Sequence, residues 1–305
     1  MTEASAQKST TVRFDPPAGT RFIRPVFGTL GRIAPRTTVR LATRIWCTPP
    51  RPRLSRLGTR PGNGHRSEVS VNGHLVTAEV WEPAGADAAT CTVYLVHGWG
   101  GWRGQLDAFV DPLVTTGHRV VSFDALGHGE SARGPLGRLS TLPEMSETLA
   151  AVVQVHGPAY AVVAHSLGGT AAALAVLDGL AVHRIVLIAA LADPPSYTHE
   201  FARALGFGER VRTGLLNEIE RMVARPAADF DLPPRLRTAV GLPPALLVHD
   251  RDDKQSRYSD APRLARSWPD SELLTTHGLG HQRILRDRDV VDRAVGHLRT
   301  VQSSG

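Results

Sequence analysis

Six short apolar runs recur between residues 91 and 278: CTVYLVHG (91–98), RVVSFDALG (119–127), AYAVVAHS (159–166), RIVLIAAL (184–191), PALLVHD (244–250) and SELLTTHG (271–278). They have the length of strands and are nearly continuous in apolar residues rather than alternating. Segments of helical pattern separate them, among them Gln105–Thr116, Leu142–Val155 and Leu167–Leu180. Strands buried on both faces and joined by helices imply a parallel sheet covered on both sides. Upstream, Glu68–Val71 and Leu75–Trp81 flank Asn72-Gly73, the pairing that favours a tight hairpin turn. The hairpin adds antiparallel strands at one edge, so the expected fold class is α/β, a mostly parallel eight-stranded sheet with helices on both faces. The rhythm fails once. About 50 residues between Leu191 and Pro244 hold no strand but include FARALGFGERVRTGLLNEIERMVA (201–224), which implies a helical insertion over the sheet at about 192–243.

Charge divides the chain differently. Residues 1–66 carry 13 Lys and Arg against 2 Asp and Glu, so the net charge of +6 conceals a balance of −5 over the rest. The high pI therefore describes a basic N-terminal arm and linker, with the globular domain at 67–305. Residues 1–20 are polar and expected to be disordered. Residues 21–47 read as short helical pieces broken at Pro25 and Pro35, and 48–66 as a Pro-, Gly- and Arg-rich linker. Apolar residues (Phe22, Ile23, Val26, Phe27, Leu30, Ile33, Val39, Leu41, Ile45, Trp46) interleave with the arginines of the arm. Such a segment has a face to bury, on the domain or weakly on an anionic membrane. No specific nucleic-acid partner is expected. Cys47 and Cys91 are too few for a disulfide framework and read as reduced thiols. With no secretory signal and no apolar run of membrane-spanning length, a cytoplasmic location is expected, possible membrane contact being peripheral.

In an open α/β sheet, ligands bind beyond the carboxyl ends of the strands, and four chemically loaded segments fall there. Ala164-His165-Ser166-Leu167-Gly168-Gly169 puts a serine between a strand and a helix, flanked by residues small enough for a strained turn. His97-Gly98-Trp99-Gly100-Gly101-Trp102 is a glycine-rich turn that can aim a backbone N–H at an oxyanion, with the amides of Trp99 and Leu167 as the expected donors. His97 itself reads as organising the turn. Val248-His249-Asp250-Arg251-Asp252-Asp253 supplies three acids that could orient a histidine. Gly278-Leu279-Gly280-His281 supplies that histidine on a flexed loop. The order Ser, Asp, His matters because a neutral serine is a weak nucleophile until a base takes its proton and an acid fixes the base's tautomer.

Taken together, HGW, FDALGHGES, AHSLGG, VHDRDD and GLGH resemble the α/β-hydrolase superfamily over roughly residues 68–300, and most of all its bacterial serine hydrolases. The resemblance implies a triad of Ser166, Asp253 and His281, with Asp252 the alternative acid because Asp250 stands where the family usually has glycine. It also implies an oxyanion hole of Trp99 and Leu167, a cap at 192–243, a structural His128 and no cofactor or metal. Ala164 replaces the family's usual glycine. The implied activity is cleavage of a small-molecule carboxylic ester or thioester through an acyl-enzyme. A serine-dependent perhydrolase, a C–C bond hydrolase on the same triad and a non-catalytic binding protein of this fold are the alternatives.

Overall fold

The computed structural model describes residues 20–50, 64–87 and 90–299; of 20–23 it describes the backbone alone. The expected disorder of residues 1–20 and most of the linker reading for 48–66 thus concern residues outside the described ones.

The sheet has eight strands: β1 (His65–Val71), β2 (His74–Trp81), β3 (Thr92–Val96), β4 (Arg119–Phe123), β5 (Ala159–His165), β6 (Val182–Ile188), β7 (Ala245–Asp250) and β8 (Ser271–Thr276). Their order is β1-β2-β4-β3-β5-β6-β7-β8. Only β2 pairs antiparallel, with β1 and β4; every pair from β4 to β8 is parallel. The hairpin turns at Asn72 (φ 50°) and Gly73 (φ 80°), the left-handed pair that a two-residue turn between right-twisted strands requires.

Alternation along buried strands divides the core. Tyr94, Val96, Val121, Phe123, Val162, Ala164 and Leu187 point to one face, under α4 (Leu142–His156) and α5 (Leu167–Leu177). Val93, Leu95, Val120, Ala161, Val163, Val186 and Ile188 point to the other. There they meet a 3-10 segment (Arg103–Phe109), α3 (Val110–Thr115) and the helix Arg288–Leu298. At ~1.5–3 kcal/mol for each buried large apolar side chain, these two layers supply the main drive to fold. The helix expected over Gln105–Thr116 is split because Leu106 leaves helical geometry (φ −104°, ψ 30°).

Between β6 and β7 the chain is helical, as the missing strand implied: α6 (Thr198–Leu205), α7 (Glu209–Val223) and α8 (Leu232–Thr238), with short 3-10 turns before α6 and α8. The stretch 201–224 forms two helices, not one, because Gly206 (φ 81°) ends α6 in a left-handed cap.

The arm also folds as helices, α1 (Thr20–Ile33) and α2 (Pro35–Trp46). The expected break at Pro25 is corrected: α1 runs through it. Pro25 lies in the second turn, where it forgoes only its own N–H bond to the preceding turn, while Phe27, two residues on, is buried. The break at Pro35 holds, since Pro35 opens α2. Phe27, Val39, Ala42 and Trp46 pack with Phe201, Leu205, Phe207, Val211 and Leu215 in a third apolar cluster. The apolar face of the cap is therefore occupied by the arm.

One buried ionic cluster ties the sheet's front loops together. Arg103 is 1% exposed and donates to Glu79 (3.1 Å), Asp124 (2.6 Å) and Glu130 (2.9 Å). Burial works against its charge, but the Asp124 and Glu130 carboxylates beside it keep the guanidinium protonated. Asp124 also accepts from the Arg103 and Glu130 amides, so the 97–103 turn and the 124–131 loop share one anchor. Replacing Arg103 with methionine leaves buried carboxylates without their cation. Urea unfolding should register a loss of about 3–5 kcal/mol, against under 1 kcal/mol expected for an exposed pair such as Arg288–Asp292.

Glu144, in the first turn of α4, is largely buried, and burial raises its carboxyl to about 7. A folded-state value above the unfolded one means the folded chain holds the extra proton between about pH 4.5 and 7. Stability is then greater below that window and falls as pH rises through it. Denaturation midpoints of the wild type should drop from pH 5 to pH 8 by more than those of Glu144→Gln.

Candidate active site

The strand order reverses between β3 and β5, the switch point beyond whose carboxyl ends an open α/β sheet presents its ligand site. Ser166 follows β5 directly, with φ 54° and ψ −127°, a strained conformation for a residue with a side chain. Its N–H donates to the Ile188 carbonyl at 2.8 Å, which helps fix the turn to the neighbouring strand. Such a turn requires close approach on both sides. A β-carbon on Gly98 would lie 3.0 Å from Ser166 Cβ, and one on Gly168 would overlap the His97 carbonyl oxygen. Ala164 is completely buried in β5, so its methyl group fits where the pattern usually has none.

His281 stands not on a loop, as its glycines suggest, but in a single helical turn (Gly280–Arg283) that follows β8. Its Nε2 lies 3.0 Å from Ser166 Oγ, and its Nδ1 2.6 Å from Asp253 Oδ2. Asp253 sits three residues beyond β7 and is 1% exposed. Burial alone would raise its carboxyl. Hydrogen bonds from His249 and His281 and from the Ser256 amide outweigh that and hold it well below the usual carboxylate range. An ionised Asp253 makes Nδ1 the protonated nitrogen of His281, and this leaves Nε2 free to accept the Ser166 hydroxyl proton.

The other two acids of the 248–253 stretch are used elsewhere. Asp250 is buried and accepts from the Asp252 amide (2.9 Å), the Thr276 hydroxyl (2.8 Å) and the Leu279 amide (3.0 Å), and so clamps the loop before His281 to the end of β7. Asp252 is exposed and accepts from the Gly278 amide at 2.9 Å. Asp253 is therefore the acid brought to His281.

The glycine-rich turn after β3 is closed by Gly101 N–H donating to the Gly98 carbonyl at 2.9 Å, with Gly100 at φ 65°. Trp99 occupies the turn's second position, whose N–H that bond does not use. Leu167 opens α5, where the N–H has no acceptor within the helix. Gln105 accepts from the Gly98 amide at 2.8 Å and reaches Gln282, beside His281, at 3.3 Å.

His97 and His128 are structural in their contacts. The Ala125 amide donates to His97 Nε2 at 2.9 Å, so Nδ1 carries the proton and donates to the Gly98 carbonyl. Burial lowers its pKa to about 4. Burial, with His97 beside it, lowers that of His128 to about 3.

Two further histidines surround the constellation and had no role in the sequence reading. His165 Nε2 donates to the His281 carbonyl at 2.9 Å, and the two rings lie 4.6 Å apart. Burial and the nearby His281 ring keep His165 neutral, far below the ordinary histidine range. His249 is fully buried, 3.5 Å from Asp253 Oδ2 and 3.2 Å from Ser256 Oγ. The Ser256 hydroxyl donates to Asp253 at 2.8 Å, and the Gln255 and Ser256 amides bond its other oxygen. The signal for both was a histidine inside an apolar strand run, a position where it must be hydrogen-bonded. Among the described residues, no cluster of His, Cys, Asp and Glu is arranged to hold a metal ion.

Comparisons with known proteins bear on the fold that carries these residues. A family model described as serine aminopeptidase, S33, matches residues 87–218, and one described as TAP-like protein matches residues 224–300. A curated relative, the dihydrolipoyllysine-residue acetyltransferase component of an acetoin cleaving system from Pseudomonas putida, is 29% identical over 250 residues. That match takes in 70% of this chain but only 64% of the relative's length. Among solved structures, an esterase from Rhodococcus sp. ECU1013 superimposes with TM-score 0.55 at 20% identity, covering 77% of this chain and 99% of that one. The esterase Est1E from Butyrivibrio proteoclasticus, solved with ferulic acid, gives 0.55 at 18% over 76% and 96%.

Proposed function

Because the chain belongs to the α/β-hydrolase superfamily, we propose that it is a serine hydrolase cleaving a small carboxylic ester or thioester through an acyl-enzyme. The observation that carries this is the continuous chain from Ser166 Oγ through His281 to Asp253, with bonds of 3.0 and 2.6 Å. In the first half-reaction Ser166 Oγ attacks the acyl carbon while His281 Nε2 takes its proton. The carbonyl oxygen becomes an oxyanion and accepts from the Trp99 and Leu167 amides, each such donor contributing about 10²–10³-fold in rate. Collapse breaks the bond to the alcohol or thiol, which leaves with the proton from His281. Water then attacks the acyl-serine, His281 takes the water's proton, and Ser166 recovers it as the carboxylic acid departs. Asp253 stays ionised throughout and stabilises the imidazolium.

The cap supports an ester over a peptide amino terminus, which needs a free carboxylate to hold its ammonium group. All seven acids of residues 192–243 are engaged: Glu200, Glu209, Glu218, Asp229 and Asp231 with arginines, Asp193 with the Ser196 amide and Glu220 with the Ala227 amide. The acetyltransferase name of the Pseudomonas putida relative concerns the same class of group, an acyl chain.

The test is a panel of p-nitrophenyl and thiocholine esters graded by acyl length, assayed beside aminoacyl p-nitroanilides. Turnover of the esters with little or none of the anilides is expected. Turnover of the anilides alone, or of neither, would overturn the proposal.

A further inference from the structure

The arm helices turn one face to the cap, and their other face has a composition unlike the rest of the surface. From Thr20 to Pro50 the sequence has six arginines and no carboxylate. Along α2 the buried residues are Thr38, Ala42 and Thr43, with Val39 and Trp46 against the cap cluster. The exposed ones are Arg36, Arg40 and Arg44 in one row and Thr37, Leu41 and Ile45 in the row beside it, each spaced by four and so aligned along the helix. On α1, Val26 and Ile33 are exposed together with Arg32.

Two quantities set this face apart. Seven large apolar residues are exposed among the described ones, and four of them, Val26 (51%), Ile33 (74%), Leu41 (39%) and Ile45 (40%), lie on these two helices. Arg24, Arg32, Arg36, Arg40 and Arg44 form no ion pair with a carboxylate among the described residues, whereas the cap's Arg203, Arg212, Arg221 and Arg225 all do. A groove of about 470 Å³ between α2 and α7 brings Arg210 and Arg221 beside Arg36 and Arg40. Its one carboxylate, Glu218, is paired with Arg221. Cations next to exposed aliphatic side chains, on helices whose opposite face is already buried, match an interface with acidic headgroups above acyl chains. A nucleic acid would use the charge but leave the aliphatic row unexplained.

We propose that the exposed face of α1 and α2 docks on an anionic phospholipid bilayer, with Arg36, Arg40 and Arg44 on the headgroups and Leu41 and Ile45 in the interfacial layer. The chain leaving α2 runs directly to the site described above. Past α2 the chain reaches Pro50, which packs on Gly100 of the glycine-rich turn, and the Cys47 carbonyl accepts from the Ser140 amide at 2.7 Å. Docking holds this end of the sheet near the membrane surface.

The test is co-sedimentation of the full chain with phosphatidylcholine vesicles and with vesicles in which a third of the lipid is phosphatidylserine. Binding is expected to the second only, and to weaken as salt rises. With each surface arginine worth about fivefold in binding, R36Q/R40Q/R44Q should lower the partition coefficient about a hundredfold. Leu41→Gln with Ile45→Gln should weaken binding at every salt concentration. All these residues are exposed, and unchanged thermal melting would verify the fold of each variant. Ser166→Ala should bind vesicles like the wild type, which separates docking from substrate recognition. Equal sedimentation with both vesicle types, sedimentation with neither, undiminished binding by the triple variant, or preference for an RNA homopolymer over vesicles would each overturn the proposal.

Discussion

Replacing Ser166 with alanine should lower kcat for a p-nitrophenyl ester about a million-fold, equivalent to about 8 kcal/mol of transition-state stabilisation. The size follows from what the serine does in the proposed reaction. Without Oγ no acyl-enzyme forms, and the imidazole of His281 has no proton to take from the nucleophile. The residual rate comes from the oxyanion amides and from substrate positioning. The substitution also relieves little strain, because alanine at φ 54° is no more comfortable than serine. Stability should therefore change by less than about 1 kcal/mol while activity collapses. A drop of only tenfold in kcat would mean that another group is the nucleophile.

The second large effect is expected at the acid. Asp253→Asn should reduce kcat about 10⁴-fold at neutral pH. An asparagine amide can donate to His281 Nδ1, which would then present its proton on Nε2, toward Ser166, where the nucleophile needs an acceptor. The same change at Asp252 should cost less than tenfold, since that exposed carboxylate serves the Gly278 amide. Asp250→Asn should act through the loop, by loosening Thr276 and Leu279, and show mainly as lost stability. Kinetics and melting of the three variants in parallel separate the roles. If Asp252→Asn proved the most damaging to kcat, the acid would be misassigned.

Much of the fold was legible because its strands are buried on both faces. A run such as Arg184–Leu191 has no polar face and can settle only inside a covered sheet. The hairpin was legible for a different reason, the left-handed demand that Asn72-Gly73 meets. The arm was harder. Its arginines and apolar residues fit either a membrane or a protein surface, and the fold divides them: Phe27, Val39 and Trp46 pack on Phe201, Phe207 and Leu215, while Leu41 and Ile45 stay exposed. Pro25 misled because proline tells of a lost bond but not of the tertiary contacts that compensate it. The sequence of the cap likewise does not say what its apolar residues cover; Phe201, Leu205 and Leu215 pack against the arm.

The candidate site divides along the same line. The meeting of Ser166 with His281 was legible from chain order and from glycines at strand ends. Asp253 was not separable from its neighbours by spacing. Asp250 is consumed by a loop that the sequence does not display, and Asp253 gains His249 and Ser256 from a fold in which all three converge. His165 stayed invisible because its partner, the His281 carbonyl, lies 116 residues away along the chain.

The central claim, that Ser166 is an activated nucleophile, is tested most directly by treating the wild-type chain with a fluorophosphonate and locating the adduct by peptide mass spectrometry. The account predicts one modified residue, Ser166, with labelling lost in His281→Ala and in Ser166→Ala. An adduct on any other residue, or undiminished labelling of Ser166→Ala, would contradict it.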